Sequence, residues 1–159
     1  MQDRAKRSRR LAVIGTVLAC LLLGGFIAFP LLSGVVAPLV PQRVEDAVGA
    51  EMIKDTASHG AFCNAPAGRA ALTSLVQRLA AHADAASFKV YVNQQPVVNA
   101  FAAPGGHVVL YIPIITAADT PEEVAGVLAH EMGHVVEAHP TQGLVESVGY
   151  GIFGMITFG

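Results

Sequence analysis

Residues 120–138 read TPEEVAGVLAHEMGHVVEA, and they contain the most informative motif of the chain. Within it, His130 and His134 are four residues apart, so on an α-helix both imidazoles lie on one face. Two imidazoles on one helical face can bind a single zinc ion. Glu131 lies one step further around the helix, where its carboxylate can polarise a water molecule at the metal. The stretch therefore predicts a zinc site on a helix.

The residues around this motif predict the helix that the metal site needs. Thr120 is a good N-cap, Pro121 suits the first helical position, and Glu123 completes a capping box. The next stop signal is His139-Pro140, because the residue before a proline is driven out of helical geometry. We therefore expect a helix over residues 121–138. Its apolar sector, expected to pack against a core, contains Val124, Val127, Leu128 and Val135.

Another interpretation of the motif requires no metal, since paired histidines also occur as solvated residues on helix surfaces. The N-cap, the apolar sector and Gly133 beside the second histidine favour the metal site. In a zinc peptidase, Glu131 would act as the general base. It would accept a proton from the water that attacks the peptide carbonyl and pass that proton to the leaving amine.

Charge is distributed unevenly along the 159 residues, whose formal net charge is −2. Half of the ten Lys and Arg residues lie within residues 1–10. From residue 11 onward, five basic residues face eleven acidic ones, so no basic surface for nucleic acid remains there. We therefore exclude nucleic acid as a partner and interpret residues 1–10 as a basic head in the cytoplasm.

Residues 11–29 contain no charged side chain, and this length is close to the roughly 20 residues that a helix needs to cross a bilayer. The preceding basic residues predict a cytoplasmic N-terminus, with the remainder on the periplasmic, extracellular or lumenal side. We interpret residues 11–29 as a transmembrane anchor in contact with lipid. A signal peptide cleaved after Ala37 and a lipoprotein signal with Cys20 as the lipidated residue are the alternatives.

Proline and glycine interrupt residues 30–43, which we interpret as a juxtamembrane linker, and residues 44–159 form the predicted domain. Helices are expected over residues 44–58 and 67–83, and strands over residues 88–92 and 107–112, with residues 97–101 as a third strand. This order predicts an α+β fold. The remaining side chains are assigned no chemistry: Cys63 is expected as a small buried hydrophobe, and His59 and His82 as surface residues.

Two blocks of the sequence closely resemble one protein family. They are residues 99–107, NAFAAPGGH, and residues 122–134, EEVAGVLAHEMGH, followed by His139-Pro140. They resemble the membrane-associated zinc metalloendopeptidases, the family that includes the heat-shock protease HtpX and the CAAX prenyl endopeptidase. The resemblance covers roughly residues 44–147. It implies a zincin-like domain that hydrolyses polypeptides, with one Zn²⁺ per chain and a role in protein quality control.

The resemblance also implies residue roles. His130 and His134 become zinc ligands and Glu131 the general base. The strand at residues 107–112 would line the cleft, where a substrate peptide adds as an extra strand. His107 is interpreted as a turn-end residue, with a substrate contact as the alternative. His139 falls opposite the ligand face when 100° is counted per residue, and is not assigned to the metal.

The sequence departs from the family pattern after the motif. The family's third zinc ligand is a glutamate in an E-x-x-x-D pattern on a later helix, and no such pattern follows His134. Glu146 is early for that role, and Glu137 is more typical of a solvated side chain. We therefore expect a fragment of a longer protein, whose residues 148–158 form an internal helix. The fragment alone would be inactive without its third ligand.

The sequence as a whole predicts a membrane-anchored zinc metalloendopeptidase. The competing hypothesis is a catalytically silent, membrane-tethered module that holds unfolded peptides in the same cleft. A third hypothesis keeps the protease but reverses its topology, so that the domain faces the cytoplasm.

Overall fold

The computed structural model describes residues 2–81 and 87–158. Within these ranges it contains six α-helices, three strands and two 3-10 turns. The helices are α1 (Gln2–Val36), α2 (Gln42–His59), α3 (Pro66–Ala80), α4 (Ile112–Ala117), α5 (Pro121–Val136) and α6 (His139–Phe158). The strands are β1 (Lys89–Asn93), β2 (Ala100–Ala103) and β3 (His107–Tyr111), and the 3-10 turns are Ala37–Leu39 and Pro104–Gly106. The fold is thus mostly helical with a small mixed sheet, which is consistent with the predicted α+β class.

The N-terminal helix is longer than the predicted anchor. It continues through Pro30 to Val36, so the first part of the predicted linker is helical. A proline removes one helical hydrogen bond, but the apolar residues that follow it are otherwise compatible with a helix. Among the described residues, one segment is long and apolar enough to cross a membrane, Ala12–Leu39.

The strands and helices of the domain lie close to their predicted positions. The predicted strands over residues 88–92 and 107–112 are displaced by a single residue at their ends, whereas the third strand begins three residues later than expected. The predicted helix over residues 67–83 is described as far as Ala80, and His82 lies outside the described residues.

The sheet has the order β1-β3-β2, with β1 parallel and β2 antiparallel to β3. The predicted role of residues 107–112 as the strand to which a substrate adds is therefore wrong. A central strand already has both neighbours, and its backbone groups are engaged on both sides. The edges of this sheet are β1 and β2.

The core lies between the sheet and α5. Val108 and Leu110 of β3 pack against Leu128 and Met132 of α5, and all four are buried. Partly buried side chains of α3 complete this cluster, as do Val124, Val127 and Val135 of the predicted apolar sector. The predicted packing of α5 is confirmed. Because one face of α5 packs against the sheet, the opposite face is directed toward solvent.

Two packing contacts connect α6 to the rest of the chain. At its start, the Thr141 hydroxyl donates a hydrogen bond to Oε1 of Glu45 in α2, at 2.6 Å. Further along, the Ser33 hydroxyl in α1 donates to Oε1 of Glu146, at 2.7 Å. The helix therefore begins beside the domain and continues along α1.

Candidate metal centre

The start of α5 is fixed by its capping residues. Thr120 Oγ1 accepts a hydrogen bond from the backbone N–H of Glu123 at 3.3 Å. The Glu123 carboxylate accepts from the N–H of Asp119 at 2.9 Å, one residue earlier than in a regular capping box. Because Leu128 and Met132 face the core, the cap and the core together determine which residues of α5 reach the cleft.

His130 and His134 face each other on α5. Their Nε2 atoms are 3.1 Å apart, and their rings meet edge to face. In a tetrahedral zinc site with Zn–N bonds of about 2.0–2.1 Å, two nitrogen ligands lie about 3.3 Å apart. The pair therefore fits the separation that zinc requires to within a few tenths of an ångström.

An open cleft of about 440 Å³ adjoins these histidines. Its wall includes Leu79 of α3 together with Ala129, Gly133 and Val136 of α5. Glu131, next to His130, is half-buried and forms no hydrogen bond or ion pair within the described part of the chain. Its carboxylate is therefore free to accept a hydrogen bond from water.

The structure places His139 beside the motif rather than opposite it. Its Nδ1 is 2.8 Å from Nδ1 of His134. The count of 100° per residue assumed a continuous helix, but α5 ends at Val136 and Ala138 adopts a φ of 53°. This left-handed residue redirects the chain and brings His139 back to the metal-binding side.

Within the described ranges, no group of three or more His, Cys, Asp or Glu side chains is arranged to hold a metal ion. His139 does not complete such a group, since it contacts the Nδ1 of His134 and not the Nε2 that faces His130. Glu146 is engaged with Ser33 of α1, and Glu137 is exposed at the end of α5. Among the described residues, the candidate metal ligands are therefore His130 and His134.

The other histidines lie apart from this centre. His107 is 5% exposed and stacks on Tyr91 with ring centroids 5.7 Å apart. Burial lowers the pKa of His107 below its usual value, and the nearby Lys89 lowers this pKa further, while Asp46 acts in the opposite direction. His59 is exposed and pairs with Asp55 in α2, as expected of a surface residue.

Comparison with known proteins identifies the family of this chain. Residues 66–158, more than half of its length, match peptidase family M48. The chain belongs to peptidase family M48. This match includes α5 with its His130-Glu131-Met132-Gly133-His134 motif, and it confirms the resemblance to metallopeptidases at the level of the family.

Individual relatives of this chain are also named as metalloendopeptidases or proteases. The chain is 31% identical over 77 residues to the mitochondrial metalloendopeptidase OMA1 of Arabidopsis thaliana, covering 48% of this chain and 16% of that protein. It is 36% identical over 77 residues to the beta-barrel assembly-enhancing protease of Yersinia pestis, covering 47% and 16%. The OMA1 of Saccharomyces cerevisiae is 29% identical over 77 residues, covering 47% and 22%. The chain therefore matches only about a sixth to a fifth of the length of these relatives.

Proposed function

We propose that this chain carries the catalytic helix of a membrane-anchored zinc metalloendopeptidase. The observation that supports this most directly is the 3.1 Å separation of the His130 and His134 Nε2 atoms, in a chain that belongs to a peptidase family. In this proposal His130 and His134 are metal ligands and Glu131 is the general base. Polypeptides are the substrates, and we place the activity in protein quality control.

In the proposed reaction, the metal and the protein have separate roles. Zinc, when bound, acts as a Lewis acid and makes the attacking water more acidic. Glu131 accepts the proton of that water and delivers it to the nitrogen of the leaving amine. Its half-buried position next to His130 and its lack of a competing partner in the described residues suit both transfers.

The sheet offers one edge for binding the substrate backbone. The outer edge of β1 is partly occupied, since Phe62 forms a bridge with Asn93 and the Cys63 N–H donates to the Val92 carbonyl at 2.8 Å. In the described part of the chain no strand pairs with the outer edge of β2, which packs directly against α5. A substrate strand would therefore add to β2 (Ala100–Ala103).

The membrane anchor is part of the proposal. The apolar segment Ala12–Leu39 follows the basic residues 1–10, and that order is typical of an anchor with a cytoplasmic N-terminus. Residues 44–159 would then form a peptidase domain on the periplasmic or extracellular side.

Two substitutions in the complete protein separate metal binding from chemistry. Glu131→Gln should keep zinc, measured by elemental analysis after dialysis, but reduce hydrolysis of unfolded casein at least about 100-fold, because an amide cannot accept the proton. His134→Ala should lose both zinc and activity, because it removes a ligand.

Glu122→Gln is the matched control, since it removes one carboxylate from the exposed first turn of the same helix and should leave turnover unchanged. Near wild-type turnover in Glu131→Gln would contradict the proposed mechanism. The catalytically silent peptide-binding module would then be the better interpretation.

A further inference from the structure

The second half of α6 presents an apolar stripe to its surroundings. Residues 147–158 contain no charged side chain. Val148, Ile152 and Met155 are 55%, 54% and 76% exposed, and their spacing of four and three residues aligns them on one helical face. An aligned apolar face of this kind is typical of a helix that contacts lipid or a partner.

The same half of α6 packs against the candidate anchor in antiparallel orientation. Glu146 contacts Ser33 of α1, whereas four residues later Tyr150 contacts Phe29 and Phe26, with ring centroids 5.3 and 5.0 Å apart. Gly149 permits this approach, because a Cβ at that position would collide with the Phe29 ring. As α6 advances, it therefore returns along α1 toward the N-terminus of the anchor.

The contact between Ser33 and Glu146 marks where a bilayer boundary can lie. Glu146 is the last charged residue before the apolar half of α6, and a carboxylate is costly inside hydrocarbon. Between this level and the basic head, residues 11–32 form 22 residues of helix, about 33 Å long at 1.5 Å per residue. That length matches the roughly 30 Å thickness of a hydrocarbon core.

We propose that residues 147–158 of α6 enter the bilayer beside α1 and that the acyl chains of lipids cover Val148, Ile152 and Met155. This inference rests on the proposed membrane anchor. Twelve helical residues extend about 18 Å, a little more than halfway through the hydrocarbon core. Lipid is favoured over a protein partner because α1, the candidate anchor against which α6 packs, also exposes apolar side chains, among them Ile27 and Leu31.

The insertion of α6 determines where the metal centre lies. His139, which contacts His134, is seven residues before Glu146, so it lies about 10 Å from the bilayer boundary on the water side. A cleft at that distance from the bilayer boundary would bind polypeptide segments that lie close to the membrane surface.

Fluorescence quenching by lipids tests the insertion directly. In the full chain with Cys20→Ser and Cys63→Ser, single Ile152→Cys and Met155→Cys variants receive a polarity-sensitive fluorophore and are reconstituted into phosphatidylcholine vesicles. We expect blue-shifted emission and strong quenching by phospholipids that carry a nitroxide on the acyl chain. Gly143→Cys, an exposed position of α6 on the other side of Glu146, is the matched control and should show neither effect.

A label at Val17→Cys in α1 separates this inference from the proposed anchor. If Val17 is quenched but residues 152 and 155 are not, the insertion of α6 is wrong while the anchor remains. If Val17 is not quenched either, both are wrong. Blue-shifted emission at residues 152 and 155 without quenching by lipid would show a protein contact and would also overturn the proposal. None of these readouts depends on catalysis.

A second observation assigns a role to His139. The Nδ1 of His134 lies 2.8 Å from Nδ1 of His139, while the Nε2 of His134 faces His130. We infer that His139 is a positioning residue, whose Nδ1 accepts a hydrogen bond from Nδ1–H of His134. That bond fixes the tautomer of His134 with the Nε2 lone pair directed toward the proposed metal position. Such support from a neighbouring group commonly changes metal affinity 10- to 100-fold.

Zinc affinity measured by competition with a chelator tests His139 without reference to activity. His139→Ala in the complete protein should weaken zinc binding about 10- to 100-fold. His139→Asn should restore most of it, because the Asn side-chain oxygen occupies nearly the position of Nδ1. His59→Ala, at an exposed histidine of α2, is the control. Unchanged affinity in His139→Ala, or no recovery in His139→Asn, would overturn this role.

Discussion

His107 shows how a single residue can depart from the usual rules of burial. It is almost completely buried, yet neither ring nitrogen has a hydrogen-bond partner among the described residues. A buried polar group without a partner costs free energy, and a charged imidazole there would cost more. The lowered pKa of His107 is the consequence, since the folded chain disfavours its protonated form.

We expect His107 to make the fold sensitive to acid. Its pKa is lower in the folded chain than in the unfolded chain, where it is about 6.5, so the unfolded chain binds more protons as the pH falls below that value. The contribution of His107 to the free energy of unfolding should therefore be constant above about pH 6.5 and should become less favourable below that value. His107→Leu should show a smaller loss of melting temperature between pH 7.5 and pH 5.5 than wild type. An identical loss in both proteins would contradict this assignment.

A second prediction at this scale concerns Gly106 in the turn between β2 and β3. Its φ is 79°, and a Cβ there would collide with the backbone carbonyl oxygen of Ser87. Gly106→Ala should lower the free energy of unfolding by about 2 kcal/mol or more, through backbone strain and overpacking. Gly126→Ala in α5 is the control. A Cβ added at residue 126 has no neighbouring atom within 4 Å, so this substitution should be neutral or stabilising. Equal effects in chemical denaturation would contradict this account.

At the scale of the element, α5 depends on its first turn and on its buried face. The Thr120 hydroxyl accepts from the Glu123 N–H, and the core contacts of Leu128 and Met132 fix the rotation of the helix. The same rotation directs His130 and His134 to the cleft. The stability of the helix and the geometry of the candidate metal centre thus have the same physical origin.

Removal of the cap should therefore be measurable. Thr120→Ala should lower the free energy of unfolding by about 1 kcal/mol, because the Glu123 N–H loses its side-chain acceptor and keeps only the Thr120 carbonyl. Thr120→Ser retains the hydroxyl and should remain close to wild type. Equal destabilisation by both substitutions in urea titrations would show that the methyl group of Thr120, and not its oxygen, is important.

At the scale of the whole molecule, the proposed position of the domain relative to the membrane rests on α1. Its apolar length and the basic residues before it favour a cytoplasmic N-terminus. The helix α6 then folds back along α1 and connects the domain to the anchor at a second place. The metal centre would be held near the membrane by two helices instead of a single linker.

Protease accessibility tests this orientation. A protease added outside intact cells or spheroplasts should degrade the part after residue 42 and leave an N-terminal epitope intact. Permeabilised cells, in which the epitope should also be lost, provide the control. Protection of the domain with an accessible N-terminus would support the reversed topology.

The features that depend on neighbours along the chain could be predicted from the sequence. The N-cap of α5, its apolar sector and the spacing of His130 and His134 follow from local geometry, and the structure contains that helix with its predicted packing. Tertiary structure alone decided which strand edge is free, where His139 lies and what Glu146 contacts. Each of these depends on strand order, a left-handed residue or a helix distant in sequence. A periodic pattern does not encode such long-range relations, because it records the faces of an element but not its neighbours.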